Sequence, residues 1–159
     1  MSLDAHEKFM RRAIELAQKG VDGNLGGPFG CVVVKDGEII GEGFNQVTST
    51  NDPTAHAEVV ALRNACKKLN SFQLDGCSIY TSCEPCPMCL GAIYWARPSR
   101  LFIAGTREDA AAAGFDDDFL YAEMSKPNGE RQLPMENLLR TESQAVFQRW
   151  IEKPDKVEY

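Results

Sequence analysis

The sequence of 159 residues predicts an α/β protein with a mixed sheet and helices on both of its faces. The middle of the chain alternates strand, helix, strand, helix, strand, an order typical of parallel strands joined by right-handed crossovers. Before this alternation, Asp36-Gly37 separates two apolar runs, which is a strong signal for an antiparallel hairpin. An amphipathic helix opens the chain and supplies a covering layer for the sheet.

The first half of the chain is predicted as a helix, a hairpin and a loop. The helix runs from Leu3 to about Gly20, with apolar residues largely on one side and a glycine where it stops. The hairpin strands cover residues 29–35 and 38–45. Residues 45–54 are polar and are predicted as a loop.

Two central helices begin close to residues that carry chemistry. Thr54 is the predicted N-cap of a helix from Ala55 to about Leu69. Pro85 suits the start of a second helix, from Cys86 to about Trp95. The remaining predicted elements are strands at 77–81 and 100–105, short helices around 110–113 and after Asp116, a loop over 125–134, and an amphipathic helix over 142–152.

Length, composition and charge favour a single globular domain over a nucleic-acid or membrane protein. The chain is 43% hydrophobic and 25% charged, as expected for a globular protein with a full core. Its net charge of -6 argues against a polynucleotide partner, because phosphate binding needs a basic surface. No apolar run approaches the ~18 residues of a membrane helix, and no signal peptide is evident, so a cytoplasmic location is expected.

Three residues have the side chains and spacing of a metal site: His56, Cys86 and Cys89. Cys86 and Cys89 lie one helical turn apart, and a helix N-terminus favours thiolates. Three protein ligands leave a fourth tetrahedral position for water, the pattern of catalytic zinc. A structural zinc site would need a fourth ligand, for which Cys83 is the nearby candidate. The six cysteines are otherwise expected to be reduced.

Glu58 is the candidate general base of this site. Zinc lowers the pKa of a water that it binds to roughly 7, and a neighbouring carboxylate can take the proton and pass it to a substrate. Glu58 lies two residues after His56, in the first turn of the predicted helix. The alternative role for Glu58 is a first-turn acid that interacts with the helix dipole.

The combination of His56-Ala57-Glu58 with Pro85-Cys86-Pro87-Met88-Cys89 resembles the zinc signature of the cytidine deaminase superfamily. The resemblance covers roughly Leu3 to Gly105. It implies a three-layer α/β/α sandwich around a mixed five-stranded sheet, with one zinc ion per subunit.

Within the superfamily, the sequence resembles the bacterial guanine deaminases. The segments that carry this resemblance are residues 26–30, 51–58, 80–89, 92–98 and 113–117 and the terminal Glu158-Tyr159. The resemblance implies hydrolysis of guanine to xanthine and ammonia in purine catabolism or salvage. It also implies a homodimer in which residues 142–159, part of one deaminase domain spanning 1–159, are exchanged between subunits.

The same resemblance adds substrate residues to the zinc site. It places Asp117 beside the departing amino group, although the run from Asp116 to Asp118 also suits a solvated helix cap. Asn45 has an amide that can bind a purine edge, or serves as a turn residue. Phe29 is expected to pack on the base or in the core. Tyr159 is expected to close over the active site of the partner subunit.

Other activities of the superfamily remain open on this sequence. A tRNA adenosine deaminase shares the zinc signature and similar length, but it would need a basic surface. A cytosine or cytidine deaminase would place a smaller base at the same zinc. Ammeline, an amino-triazine, resembles the guanine edge and is a plausible secondary substrate. A structural zinc module is the alternative outside catalysis.

Overall fold

One mixed sheet organises the first part of the chain. The computed structural model describes residues 3–115 and 117–159, and the chain divides into two units, Met1–Tyr121 and Ala122–Tyr159. In the described residues the sheet has four strands, in the order β2-β1-β3-β4. These strands are β1 (Gly30–Lys35), β2 (Glu38–Phe44), β3 (Ser78–Cys83) and β4 (Arg100–Gly105).

Strand directions confirm the mixed sheet and explain the alternation seen in the sequence. β1 is antiparallel to both of its neighbours, β2 and β3, whereas β3 and β4 are parallel. Consequently β2, β3 and β4 all run in the same direction, with β1 inserted against them. The hairpin prediction is confirmed, since Asp36 (φ 50°) and Gly37 (φ 82°) both adopt the left-handed backbone that a two-residue turn requires.

The expected five-stranded sheet is wrong for the residues that the structure describes. After β4, the chain enters helix α5 (Arg107–Ala112) instead of a further strand. The Thr106 side chain accepts from the backbone of Asp109, whose carboxylate accepts from the backbone of Thr106, so a complete capping box begins this helix. The alanines that follow have the highest helix propensity and continue it.

Helices cover both faces of the sheet. Helix α1 (Leu3–Asp22) packs Phe9 and Leu16 against Val32 and Tyr80 on one face. The other face is covered by the longer helices of the central region, α3 (Ala57–Leu69) and α4 (Pro87–Ala96), with the short helix α2 (Val47–Thr50) between β2 and α3. The core of that face contains Cys31, Val33, Ile79, Ala57, Ala61 and Ile93.

The starts of the central helices differ slightly from the prediction. Thr54 is not the N-cap of α3, because the Asp52 carboxylate accepts from its backbone and hydroxyl and holds it in a turn. The N-cap is His56, two residues later. In α4 the proline at the first helical position is Pro87, not Pro85. The structure also contains α2 within the stretch predicted as loop.

Helices α6 and α7 complete the chain. Gly114 (φ 91°) follows α5, as the sequence predicted for a helix stop. Helix α6 spans Asp117–Ser125, and α7 spans Arg140–Glu152, with a 3-10 turn at Asn128–Glu130. Among the described residues, none of the helices combines the length and apolarity that a bilayer crossing requires.

Candidate metal centre and active site

Two helix N-termini meet at one edge of the sheet. Since β2 and β3 run in the same direction, the helices that follow them, α3 and α4, begin at the same edge, where open α/β sheets bind ligands. His56 is the N-cap of α3 and Cys86 is the N-cap of α4, both in extended backbone conformation. Neither side chain caps its own helix by a hydrogen bond.

The side chains at these helix starts converge as the sequence predicted. Their donor atoms, one from each of His56, Cys86 and Cys89, all lie within 4.8 Å of one another. His56 Nδ1 is 3.6 Å from Cys86 Sγ and 3.5 Å from Cys89 Sγ. Both thiols are buried and the imidazole is half-buried, so a cation bound here would be enclosed by protein on the side of these donors.

The chemistry of these three donors fits zinc. Hydrogen bonds from Cys89 and His56 lower the pKa of Cys86 to about 4, which favours the thiolate at neutral pH. The same sulfur raises the pKa of His56, since an imidazolium beside a thiolate is stabilised. Two sulfurs and one imidazole nitrogen form a set that zinc binds, with one tetrahedral position left over.

Cys83 does not belong to this cluster. Its thiol donates to the carbonyl oxygen of Thr106 at 3.4 Å, and burial raises its pKa to about 11. A buried thiol with a raised pKa behaves as a small apolar residue rather than as a metal ligand. This geometry argues against the structural zinc module, which needs Cys83 as a fourth ligand.

Glu58 lies beside the donors, on the first turn of α3. It is 5% exposed, and this burial raises the pKa of its carboxyl group. Thr81 on β3 donates its hydroxyl to Glu58 Oε1 at 3.3 Å and orients the carboxylate. Thr81 could not be predicted from the sequence, because the contact joins residues 23 positions apart and depends on tertiary structure.

A cavity of about 220 Å³ opens onto this group. Its volume lies below the ~300–1,000 Å³ of pockets for drug-sized ligands, so it suits a smaller molecule. No lysine or arginine is among the described residues that line it. The residues that line the cavity are Gly27, Phe29, Asn45, Val47, Thr48, His56, Glu58, Glu84, Cys86, Phe115 and Asp117.

Asn45 reaches the cavity from the end of β2. Its Oδ1 accepts from the backbone N–H groups of Gly27 and Val47, each at 3.2 Å. The loop before β1 can approach Asn45 this closely because Gly26 lacks a Cβ. A Cβ at this position would lie 2.1 Å from the backbone carbonyl oxygen of Asn45. The side-chain carbonyl therefore fixes the backbone, and the amide nitrogen is the part of Asn45 that can serve a ligand.

Two aromatic rings form an apolar wall of the cavity. The rings of Phe29 and Phe115 meet edge to face, with centroids 4.8 Å apart and an interplanar angle of 80°. Phe29 was a candidate from the sequence. Phe115 lies in a segment that resembles the family, but no role was predicted for its side chain.

The acidic run after Gly114 contributes to the cavity through Asp117, the first residue of α6. Asp116, the alternative residue considered from the sequence, lies outside the described residues. Asp118 is in the same helical turn as Asp117 and lies 3.6 Å from the guanidinium of Arg107. Tyr159 ends the second unit and is 70% exposed, and its role stays a prediction.

Residues 3–105 match the family described as "Cytidine and deoxycytidylate deaminase zinc-binding region". The chain belongs to this deaminase family. The match spans His56, Cys86 and Cys89, so the zinc predicted from the sequence is supported both by the family and by the convergence of these donors.

Similar proteins in the deaminase family include a guanine deaminase and a tRNA-specific adenosine deaminase. The guanine deaminase of Bacillus subtilis is 58% identical over 154 residues, which cover 97% of this chain and 99% of that protein. Its X-ray structure superposes with a TM-score of 0.94 over 97% of this chain and 98% of its own. The tRNA-specific adenosine deaminase of Haemophilus influenzae is 43% identical over 119 residues, covering 71% of this chain and 68% of that protein.

Proposed function

We propose that this protein is a zinc-dependent guanine deaminase, which hydrolyses guanine to xanthine and ammonia in purine catabolism or salvage. The observation that carries the proposal is the small cavity without lysine or arginine beside the His56, Cys86 and Cys89 cluster. Such a lining suits a neutral base, whereas a polynucleotide needs basic residues for its phosphates. The 58% identity with the Bacillus subtilis enzyme, extending beyond the zinc region, supports the same substrate.

His56, Cys86 and Cys89 would hold the metal. When bound, zinc supplies Lewis-acid activation, which makes water a competent nucleophile at neutral pH. Glu58 takes the proton of the attacking water and delivers it to a ring nitrogen next to C2 of guanine. The hydroxyl group then bonded to C2 gives its proton to the amino group, and ammonia leaves as the C2 carbonyl of xanthine forms. The burial of Glu58, which raises its pKa, suits a group that must both accept and donate a proton.

The remaining cavity residues would bind and orient the base. Asn45 donates from its amide nitrogen to the purine oxygen, because its Oδ1 already accepts two backbone N–H groups. Asp117 accepts hydrogen bonds from the amino group at C2 and assists its departure. Phe29 and Phe115 provide apolar surface for the flat ring. These roles agree with the chemistry of each side chain and with its place in the cavity lining.

The C-terminal segment is proposed to act in a homodimer of single-domain subunits. Helix α7 has no buried residue, and its apolar side chains are exposed, including Phe147 at 68% and Ile151 at 61%. An exposed apolar helix face of this kind marks an interaction surface. We propose that residues 142–159 pack on the partner subunit, with Tyr159 over the partner's site. The cytoplasm suits this enzyme, since its metal site requires reduced thiols.

A substrate panel tests the activity. Guanine incubated with the zinc-loaded protein is expected to give stoichiometric xanthine and ammonia, followed by ultraviolet absorbance and an ammonia assay. Cytosine, cytidine and a tRNA anticodon stem-loop with adenosine are expected to react at least tenfold more slowly, because the proposed hydrogen bonds of Asn45 and Asp117 match the oxygen and the amino group of guanine. Ammeline is included as the candidate secondary substrate. Faster reaction of the tRNA stem-loop or of cytosine would overturn the substrate assignment.

Removal of the last residue tests the proposed tail. A chain that ends at Glu158 is expected to keep its zinc and dimer but to lose at least tenfold in kcat/KM with guanine, because the aromatic tip no longer covers the base. Size-exclusion chromatography, metal analysis and steady-state kinetics measure these properties. The matched control is Val157→Ala, which shortens an exposed side chain of the same tail and should retain activity. Unchanged kinetics after truncation would refute the tail proposal.

A further inference from the structure

Arg107 lies between two segments that carry residues of the site. It is the first residue of α5, which follows β4 after the single residue Thr106. Its side chain is 35% exposed, but the Nε atom is buried. Arg107 does not line the cavity, and the proposed reaction does not use it directly. Its contacts nevertheless reach both the segment before Cys86 and the first turn of α6.

The first set of contacts joins Arg107 to Glu84. The Arg107 backbone N–H donates to Glu84 Oε2 at 3.3 Å, and Arg107 Nε lies 3.2 Å from Glu84 Oε1. Within the described part of the chain, Nε has no aligned hydrogen-bond acceptor, so this second contact is an ion pair rather than a hydrogen bond. Glu84 lines the cavity and lies two residues before the metal ligand Cys86. Arg107 therefore fixes the Glu84 carboxylate in the segment that leads to Cys86.

The second set of contacts joins Arg107 to α6. The guanidinium lies over the ring of Tyr121, with Cζ 4.6 Å from the centroid. Arg107 Nη1 is also 3.6 Å from the carboxylate of Asp118. The Tyr121 hydroxyl donates to the carbonyl oxygen of Pro85 at 2.9 Å. The start of α6, from Asp117 to Tyr121, is thus tied to the residues directly before Cys86.

The charges around the cavity give Arg107 a second effect. The cavity is lined by the carboxylates of Glu58, Glu84 and Asp117. Like charges close together in a partly buried space repel each other. Arg107 pairs with Glu84 and so offsets the repulsion between this carboxylate and its acidic neighbours. The planar guanidinium can pair with a carboxylate and stack on an aromatic ring at once, which a lysine cannot do.

We propose that Arg107 is a positioning residue that holds Asp117 at the cavity, by clamping the start of α6, through Asp118 and Tyr121, to the segment of Glu84 and Pro85. The role rests on the proposed function, in which Asp117 binds the amino group of the base. Arg107 itself touches neither substrate nor metal. Loss of the clamp moves the Asp117 carboxylate relative to the donor atoms of the metal site. Small displacements of a group that orients the substrate strongly reduce the rate of the reaction.

The kinetic test compares Arg107→Met with Arg107→Lys in the full-length, zinc-loaded protein. Arg107→Met is expected to lower kcat/KM for guanine by roughly 10- to 100-fold while one zinc per chain is retained. Arg107→Lys keeps the charge and should recover part of the loss. In an Asp117→Asn background, Arg107→Met should add less than about threefold, since residues that act through each other are not additive. Fully multiplicative effects, or loss of zinc in Arg107→Met, would overturn the proposal.

A measurement that needs no substrate separates this proposal from the proposed function. Hydrogen exchange of the backbone amides in residues 117–121 should be faster in Arg107→Met than in wild type, with exchange in α3 and α4 unchanged. Unchanged exchange at 117–121 would refute the clamp. The matched control is Arg11→Met, which removes an exposed ion pair with Glu7 on α1 and should leave exchange and kinetics as in wild type. A wild-type protein inactive on guanine would refute the function alone, and the exchange result would then decide the clamp.

Discussion

Glu58→Gln is expected to retain one zinc per chain and to lose roughly 10²- to 10⁴-fold in kcat with guanine. The substitution keeps the size of the side chain and the acceptor oxygen for the Thr81 hydroxyl, but it removes the group that takes and returns the proton. KM should change much less than kcat, because the amide still fills the same buried position. Steady-state kinetics and metal analysis on the same preparation measure both properties.

The matched control for this variant is Glu38→Gln, at the exposed start of β2. The same chemical change there removes no contact with the cavity and should leave kcat within twofold of wild type. Full activity in Glu58→Gln would contradict the proposed proton transfer. Loss of zinc in Glu58→Gln would show that the carboxylate serves the metal site itself, and the kinetic result would then not describe proton transfer.

Cys86→Ala is expected to abolish stable zinc binding and to reduce deamination to background. Two remaining donors, His56 and Cys89, are too few for the three-ligand site of a catalytic zinc. A metal that binds only the folded state stabilises it, so a chelator should lower the Tm of wild type but not that of Cys86→Ala. Metal analysis after gel filtration and thermal unfolding with and without chelator provide the two measurements.

Cys83→Ala is the matched control, since Cys83 precedes Cys86 by three residues and donates to Thr106 instead. It should keep zinc, activity and the response to chelator, with a modest loss of Tm from the removed buried sulfur. Zinc loss in Cys83→Ala together with retention in Cys86→Ala would contradict the ligand assignment.

Much of the fold could be predicted from local sequence signals. The hairpin at Asp36-Gly37 and the helix stop at Gly114 each depend on backbone conformations that few residues adopt, so the residue type reveals them. The central helices were also predicted, although α3 begins two residues later than expected. That shift depends on Asp52, whose carboxylate holds Thr54 in a turn, a competition that propensity alone does not reveal.

The number of strands in the sheet was predicted correctly from the residues and wrongly from the family resemblance. The sequence itself indicated the four strands that the structure contains, and the fifth was expected only from the superfamily. The capping box of Thr106 and Asp109 starts a helix where a further strand would otherwise begin. A local signal for that helix was therefore available in the sequence, in the Thr106 to Asp109 spacing and the alanines after it.

The candidate metal ligands could be predicted because each lies in a short and uncommon pattern, His56-Ala57-Glu58 and the pair Cys86 and Cys89. The residues that surround and orient the site could not be predicted, since their contacts join distant segments of the chain. Thr81 reaches Glu58 from a neighbouring strand, and Arg107 joins Glu84 to α6. Phe115 faces Phe29 only after the chain folds back. In each case the residue type is common, so nothing in the sequence distinguishes it from an ordinary surface or core position.

His56 and Cys86 occupy the two positions where a helix usually gains stability from serine, threonine, aspartate or asparagine, worth about 0.5–2 kcal/mol at each site. Neither side chain makes a hydrogen bond to its own helix, so the chain lacks that local stabilisation at both helix starts. Substitutions that improve these caps would make the chain more stable and inactive. For anyone engineering a more robust variant, stabilising changes therefore have to be made away from the starts of α3 and α4.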